Sequence, residues 1–143
     1  MTHADILLIQ ADRTITYARV VVDFRPQKID PHCIRITAGG NLINYPDELT
    51  TRTADLTTSK LMWNTVLSTE GAKYMCLDIK NFYLTAPLDR FEYTKMPLSL
   101  FPSWTNEQYN LDNLAQNGFV YLEMRRTVWG LPQAGILANK LLR

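Results

Sequence analysis

Apolar and polar positions alternate through Cys33-Ile34-Arg35-Ile36-Thr37, the two-residue period of a half-buried strand. The valine-rich residues 17–24 predict a strand before it. Between them, Arg25-Pro26-Gln27-Lys28-Ile29-Asp30-Pro31 is polar and carries two prolines, which predicts the long tip of a hairpin. Gly39-Gly40-Asn41 ends the pair. Over residues 53–70 the apolar Leu56, Trp63, Val66 and Leu67 recur near helical spacing, with Met62 close by. That predicts a helix capped by Thr53 or Asp55 and ended at Gly71. Residues 73–79 predict a strand running into Asp78, and residues 91–96 a weaker one closed by Pro97. Residues 105–117 predict a second helix with Gly118 after it, and residues 119–124 a further strand. Leu131-Pro132 opens a last helix over residues 133–143, where proline is tolerated in the first turn. Ile6-Leu7-Leu8-Ile9 is short enough to be a strand or a helix turn, and the chain has no internal repeat.

Composition narrows the class only a little. At 143 residues the chain is one domain or a piece of a larger one, and 46% apolar residues suffice for one core. The 15 basic and 14 acidic residues leave a net +1, which by itself argues neither for nor against nucleic acid. Cys33 and Cys76 form no CxxC or other zinc spacing, so a reduced intracellular compartment is the expectation. No apolar run approaches the ~20 residues of a membrane span, and the start lacks the basic region of a secretory signal. The sequence breaks off inside an apolar helix, so the chain is expected to be part of a longer domain.

Three places could carry chemistry. In Cys76-Leu77-Asp78-Ile79-Lys80-Asn81-Phe82-Tyr83, an apolar stretch delivers one carboxylate before a turn with aromatic residues. Two-metal sites use such carboxylates to hold Mg²⁺ against phosphates, although a lone aspartate is more often a cap or turn residue. In Trp129-Gly130-Leu131-Pro132-Gln133-Ala134-Gly135, small residues flank a glutamine at a helix start. They allow close approach of a backbone or a ligand, and a plain turn explains them equally well. From residue 13 to 35, Arg13, Arg19, Arg25, Lys28 and Arg35 face only Asp23 and Asp30. That excess of positive charge suits an anionic substrate, or is simply a solvated face.

Taken in this order, the three pieces resemble the reverse transcriptases of retroviruses and LTR retrotransposons, over roughly residue 13 to the end. Arg19-Val20-Val21-Val22-Asp23-Phe24-Arg25 looks like the fingers strand of that family. The resemblance implies that Arg19 contacts the triphosphate of the incoming dNTP, with Arg13 as a further triphosphate contact in place of the family's lysine. Asp78-Ile79-Lys80-Asn81-Phe82-Tyr83-Leu84 is similar to the first palm motif, followed by Pro87-Leu88 as in the retroviral enzymes. It implies that Asp78 is catalytic and a ligand of two Mg²⁺ ions and that Ile79 lends its carbonyl to one of them. The amides of Asn81 and Phe82 would face the triphosphate, and Tyr83 would be the gate that excludes a ribose 2′-OH. Leu131-Pro132-Gln133 resembles the nucleotide-pocket motif, with Gln133 on the incoming sugar. The following Ala134-Gly135 is closer to copia-like elements than to retroviruses.

The fold this implies is α+β, a partial right-hand polymerase: a fingers hairpin plus an incomplete palm, its sheet antiparallel with helices on one face. Residues 10–72 would be the fingers part. Residues 73–143 would be the first half of the palm, with a fingers insertion near 98–118. The sequence has no Asp-Asp, so the family's second carboxylate motif is absent, as are thumb and RNase H. The expected partners are template–primer nucleic acid, dNTPs and the C-terminal half of the polyprotein, without a membrane. The expected location is cytoplasmic or nuclear. One aspartate cannot hold both ions, so the chain alone should not polymerise. A catalytically dead retroelement remnant, or an unrelated ββα nucleic-acid-binding module, is the alternative.

Overall fold

The computed structural model describes residues 1–9, 11–51 and 54–142. The chain opens with a short helix α1 (His3–Leu7), whose Thr2 and Asp5 cap each other reciprocally. Strands β1 (Ile15–Phe24) and β2 (His32–Ala38) follow as a hairpin, and helix α2 (Leu56–Ser68) comes next. A 3-10 turn (Phe82–Leu84) leads into β3 (Pro87–Pro97). Helices α3 (Ser103–Tyr109) and α4 (Leu111–Leu114), strand β4 (Phe119–Arg126) and helix α5 (Ala134–Leu141) complete the α+β fold. None of the helices among the described residues is long and apolar enough to cross a membrane.

The four strands form one sheet in the order β2-β1-β3-β4. It is mixed, which corrects the antiparallel sheet expected from sequence. β1 runs parallel to β3 over Ile15↔Tyr93 to Tyr17↔Lys95, while the other pairings are antiparallel. A parallel neighbour needs a long crossover, and the chain between β1 and β3 supplies it. β1 then changes partner. From Ala18↔Ala38 to Phe24↔His32 it pairs only with β2, so the hairpin runs on as a two-stranded ribbon. Val22, Phe24 and Ile34 on that ribbon are exposed.

β3 buries every second residue at Glu92, Thr94 and Met96, the half-buried pattern of a strand with one face on the core. The core lies between this sheet and α5. Ala86, Leu88, Met124, Leu131, Ala134 and Leu137 form it, joined by Ala38 from the hairpin base.

Two expected elements differ. Residues 73–79 are not a strand: they are exposed and, among the described residues, pair with no strand. Strand identity comes from a partner edge, and the β2-β1-β3-β4 order leaves none beside this segment. The helix expected over 105–117 is broken at Asn110, which takes a left-handed φ of 51° and separates α3 from α4. Asn117 and Gly118, with φ of 51° and 78°, make a tight hairpin turn closed by paired bonds between Gln116 and Phe119, not a helix end. The candidate cap Thr53 and the helix-terminal Arg143 lie outside the described residues; Asp55 caps α2.

Candidate functional site

Residues 78–83 form a pinned turn. Asn81 adopts a left-handed φ of 57°, the amide of Phe82 donates to the Ile79 carbonyl (3.2 Å), and that of Leu84 donates to the Asn81 carbonyl (2.8 Å). The buried Thr127 hydroxyl donates to the Tyr83 carbonyl, and the Thr127 amide donates to the Ala86 carbonyl (2.9 Å). The end of β4 thus holds the turn in place.

The hairpin and α5 are laced together just as closely. The Ala38 amide donates to the Trp129 carbonyl (2.7 Å), and Thr37 bridges Trp129. Gly130 has φ +94°, and a Cβ there would collide with the Ala38 carbonyl oxygen. A Cβ on Gly40 would collide with the Gly130 carbonyl oxygen. The small residues at this turn therefore admit a backbone, one of the two readings open from sequence.

Between the hairpin tip, the 77–83 segment, Trp129 and one side of α5 lies an open cleft of about 1030 Å³. Asp78, Ile79, Asn81, Phe82 and Tyr83 all line it. Its basic side chains are Arg25, Lys28, Arg35 and Lys80, against the carboxylates of Asp30 and Asp78. Arg25 is spent on Asp23, whose carboxylate accepts from its Nε at 2.6 Å. That bond holds the Asp23 carboxyl below its ordinary range and pushes the Arg25 guanidinium up. Lys28, Arg35 and Lys80 have no carboxylate within ion-pair distance among the described residues. Arg35 lies over the Trp129 ring, 5.6 Å from its centroid.

Three expected site residues lie elsewhere. Gln133 is 1% exposed and turns into the core, where its Nε2 donates to Glu92 Oε1 (3.1 Å). It borders a separate cavity of about 120 Å³, not the cleft. Arg13 is drawn to the same carboxylate (Nη1 to Oε1, 3.7 Å). A buried charge demands partners, and Glu92 recruits both of these residues together with Arg90 (3.0 Å). Arg19 shares the hairpin face of Arg35, being opposite Thr37, but its guanidinium rests over the Tyr17 ring at 5.0 Å and does not line the cleft.

The carboxylates present do not by themselves fit a two-ion centre. Among the described residues no three acidic, histidine or cysteine side chains converge, and Asp78 is exposed. Sequence reasoning took Arg35 only as part of the hairpin's positive charge and Trp129 only as part of a turn; it missed Thr127, which pins the cleft-lining turn, and Glu92, whose carboxylate draws Gln133 and Arg13 away from the cleft. The alternation of residues 33–37 already put Arg35 on one face with Cys33 and Thr37. For Thr127 and Glu92 the sequence carries no distinguishing signal. Comparison with protein families, with curated proteins and with solved structures finds no match to this chain.

Proposed function

We propose that this chain is the fingers and first half of the palm of a reverse transcriptase of the LTR-retrotransposon type, and that the cleft is where dNTP and template–primer meet. One observation carries the reading: the whole Asp78-to-Tyr83 turn lines a cleft whose other wall is the basic hairpin. A pinned turn offering a carboxylate and an aromatic ring, opposite Lys28 and Arg35, which make no ion pair among the described residues, suits a phosphorylated sugar. In the complete enzyme a primer 3′-OH attacks the α-phosphate of the dNTP and pyrophosphate leaves, with positioning and electrostatics carrying most of the rate. Magnesium ions would supply charge neutralisation there. This chain would contribute Asp78 and the Ile79 carbonyl toward them, and among the described residues no further acidic side chain converges on that point. Its own residues draw phosphates in (Lys28, Arg35, Lys80) and limit the room beside the sugar (Tyr83). Template–primer, dNTPs and the C-terminal half of the polyprotein are the partners on this reading, and the setting is cytoplasmic or nuclear.

The test is primer extension on an RNA template by the chain joined to a palm segment that carries a second carboxylate pair. Incorporation that disappears in Asp78→Asn, with Tyr83→Val raising ribonucleotide use relative to deoxyribonucleotide, supports the reading; loss of a tenfold preference corresponds to about 1.4 kcal/mol. A joined, folded protein that extends equally well with Asp78→Asn rejects it. A second reading, a non-catalytic remnant that binds nucleic acid, is favoured by the lack of a converging acidic cluster among the described residues. It expects salt-dependent binding with no extension.

A further inference from the structure

Cation–aromatic pairs occur at several places on this chain, but the one formed by Arg35 and Trp129 has both members in the cleft wall. Arg35 is half-buried, it makes no ion pair among the described residues, and the indole ring braces it at 5.6 Å. Trp129 is itself fixed: its carbonyl accepts from Ala38 and the next residue is the obligate Gly130. A planar guanidinium held on an aromatic face loses little freedom when it binds, and it offers two modes of recognition. Its edge donates a fork of N–H groups to phosphate oxygens, and guanidinium and indole planes both stack on bases. The other cleft cations lack this preparation. Arg25 is neutralised by Asp23, and Lys28 and Lys80 are solvent-exposed.

We propose that Arg35 and Trp129 together form a stacking and phosphate-binding platform for single-stranded nucleic acid. The proposal deepens the polymerase reading, on which it rests: the strand would be the unpaired template beside Asp78. Two features favour a strand over a free nucleotide. The cleft, at about 1030 Å³, is at the upper end of what one small ligand fills. Its cations are also spread from the hairpin tip at Lys28 to Lys80 on the opposing wall, with the platform as a third point. A groove that tracks a backbone with spaced cations and stacks bases on an aromatic is the physical recipe for sequence-tolerant single-strand binding.

The experiment uses the full chain with Trp63→Phe and Trp104→Phe, which leaves Trp129 as the only tryptophan. Its emission is followed on titration with an oligothymidylate of about twelve nucleotides, and separately with dTTP. The expected result is quenching by the oligonucleotide, weakened by added salt. Arg35→Ala should weaken binding by about tenfold, and Arg35→Gln, which keeps the aliphatic stem and a polar end but removes the guanidinium, by a similar factor. Lys95→Ala, which removes an equivalent cation from the Phe119 ring outside the cleft, should change nothing. Oligonucleotide binding that both Arg35 variants leave intact overturns the platform while the polymerase reading stands. Quenching by dTTP alone assigns the pair to the free nucleotide and overturns the single-strand proposal. No binding of either probe to the unsubstituted cleft overturns the platform and counts against the polymerase reading with it.

Discussion

Thr127 shows how much a single unremarked side chain can hold. It is fully buried, and from just beyond β4 its hydroxyl reaches across to the Tyr83 carbonyl. Thr127→Val keeps the shape and removes the donor, so the carbonyl loses its partner. An unmade bond of that kind costs about 1–3 kcal/mol. Urea denaturation should register the loss, and an unchanged midpoint would mean the bond contributes nothing to the turn. Glu92 is the larger case. One of its oxygens accepts from Arg90 Nε and Nη2 and from Gln133 Nε2, with Arg13 near by. Glu92→Ala removes the acceptor of the buried Gln133 amide and of the half-buried Arg90, and breaking such a pair costs up to roughly 3–5 kcal/mol. Glu92→Gln retains an acceptor and should cost less. If the two variants melt at the same temperature, charge at this position is irrelevant and the network is ordinary packing. At this scale the sequence was a poor guide to direction. It marked Gln133, Arg13 and Arg19 as polar residues of the right type, and only the burial of Glu92 explains why two of them turn inward.

At the scale of elements, α2 stands apart because its apolar residues Leu56, Leu61, Met62 and Leu67 are exposed and none of its residues is buried. A 13-residue helix without a packed face is marginal, so its cap matters. Asp55 accepts from the Thr58 amide at 2.6 Å, and this bond holds its carboxyl below the ordinary value of 3.8. A carboxyl whose value is lower in the folded chain gives its full contribution above the unfolded value and loses it as pH falls through the folded one. Helical circular dichroism of the parent chain should therefore drop below about pH 4 relative to Asp55→Asn, and the two should converge in acid. Parallel curves over that range would show that the cap is not formed in solution. The same scale separates legible from illegible structure. The β1–β2 hairpin, α2, β4 and α5 followed from local periodicity and turn residues, because each is stabilised by neighbours in sequence. The parallel β1–β3 pairing did not, since nothing local encodes a partner some 75 residues away. Residues 73–79 carried strand propensity without a partner, and the Asn110 break rests on one backbone conformation inside an otherwise helical pattern.

At the scale of the whole molecule, the packed core around α5 contrasts with a large uncovered apolar surface. Met75 is 75% exposed and Leu77 72%, on an extended segment whose backbone pairs with no strand among the described residues. Leu141 and Leu142 at the end of α5 are exposed as well, and Leu142 lines the same cleft as Leu77. Extended backbone with free donors and acceptors, flanked by apolar side chains, is a template for pairing with another chain. The chain should therefore self-associate as its concentration rises, and the contact should run through residues 73–79. Met75→Lys with Leu77→Lys tests this directly. Both side chains are largely exposed, so the double substitution should leave the melting free energy within about 0.5 kcal/mol per site. It should also place two charges where a second strand would have to dock, which costs little in the monomer and much in the pair. Sedimentation velocity should show the parent chain shifting to larger species while the double variant stays monomeric. If the core were the weak point instead, both proteins would aggregate alike, and their loss of monomer would follow thermal unfolding. A parent chain that remains monomeric at about 100 μM, inside the μM–mM range in which exposed apolar surface and unpaired edges associate, would defeat the prediction.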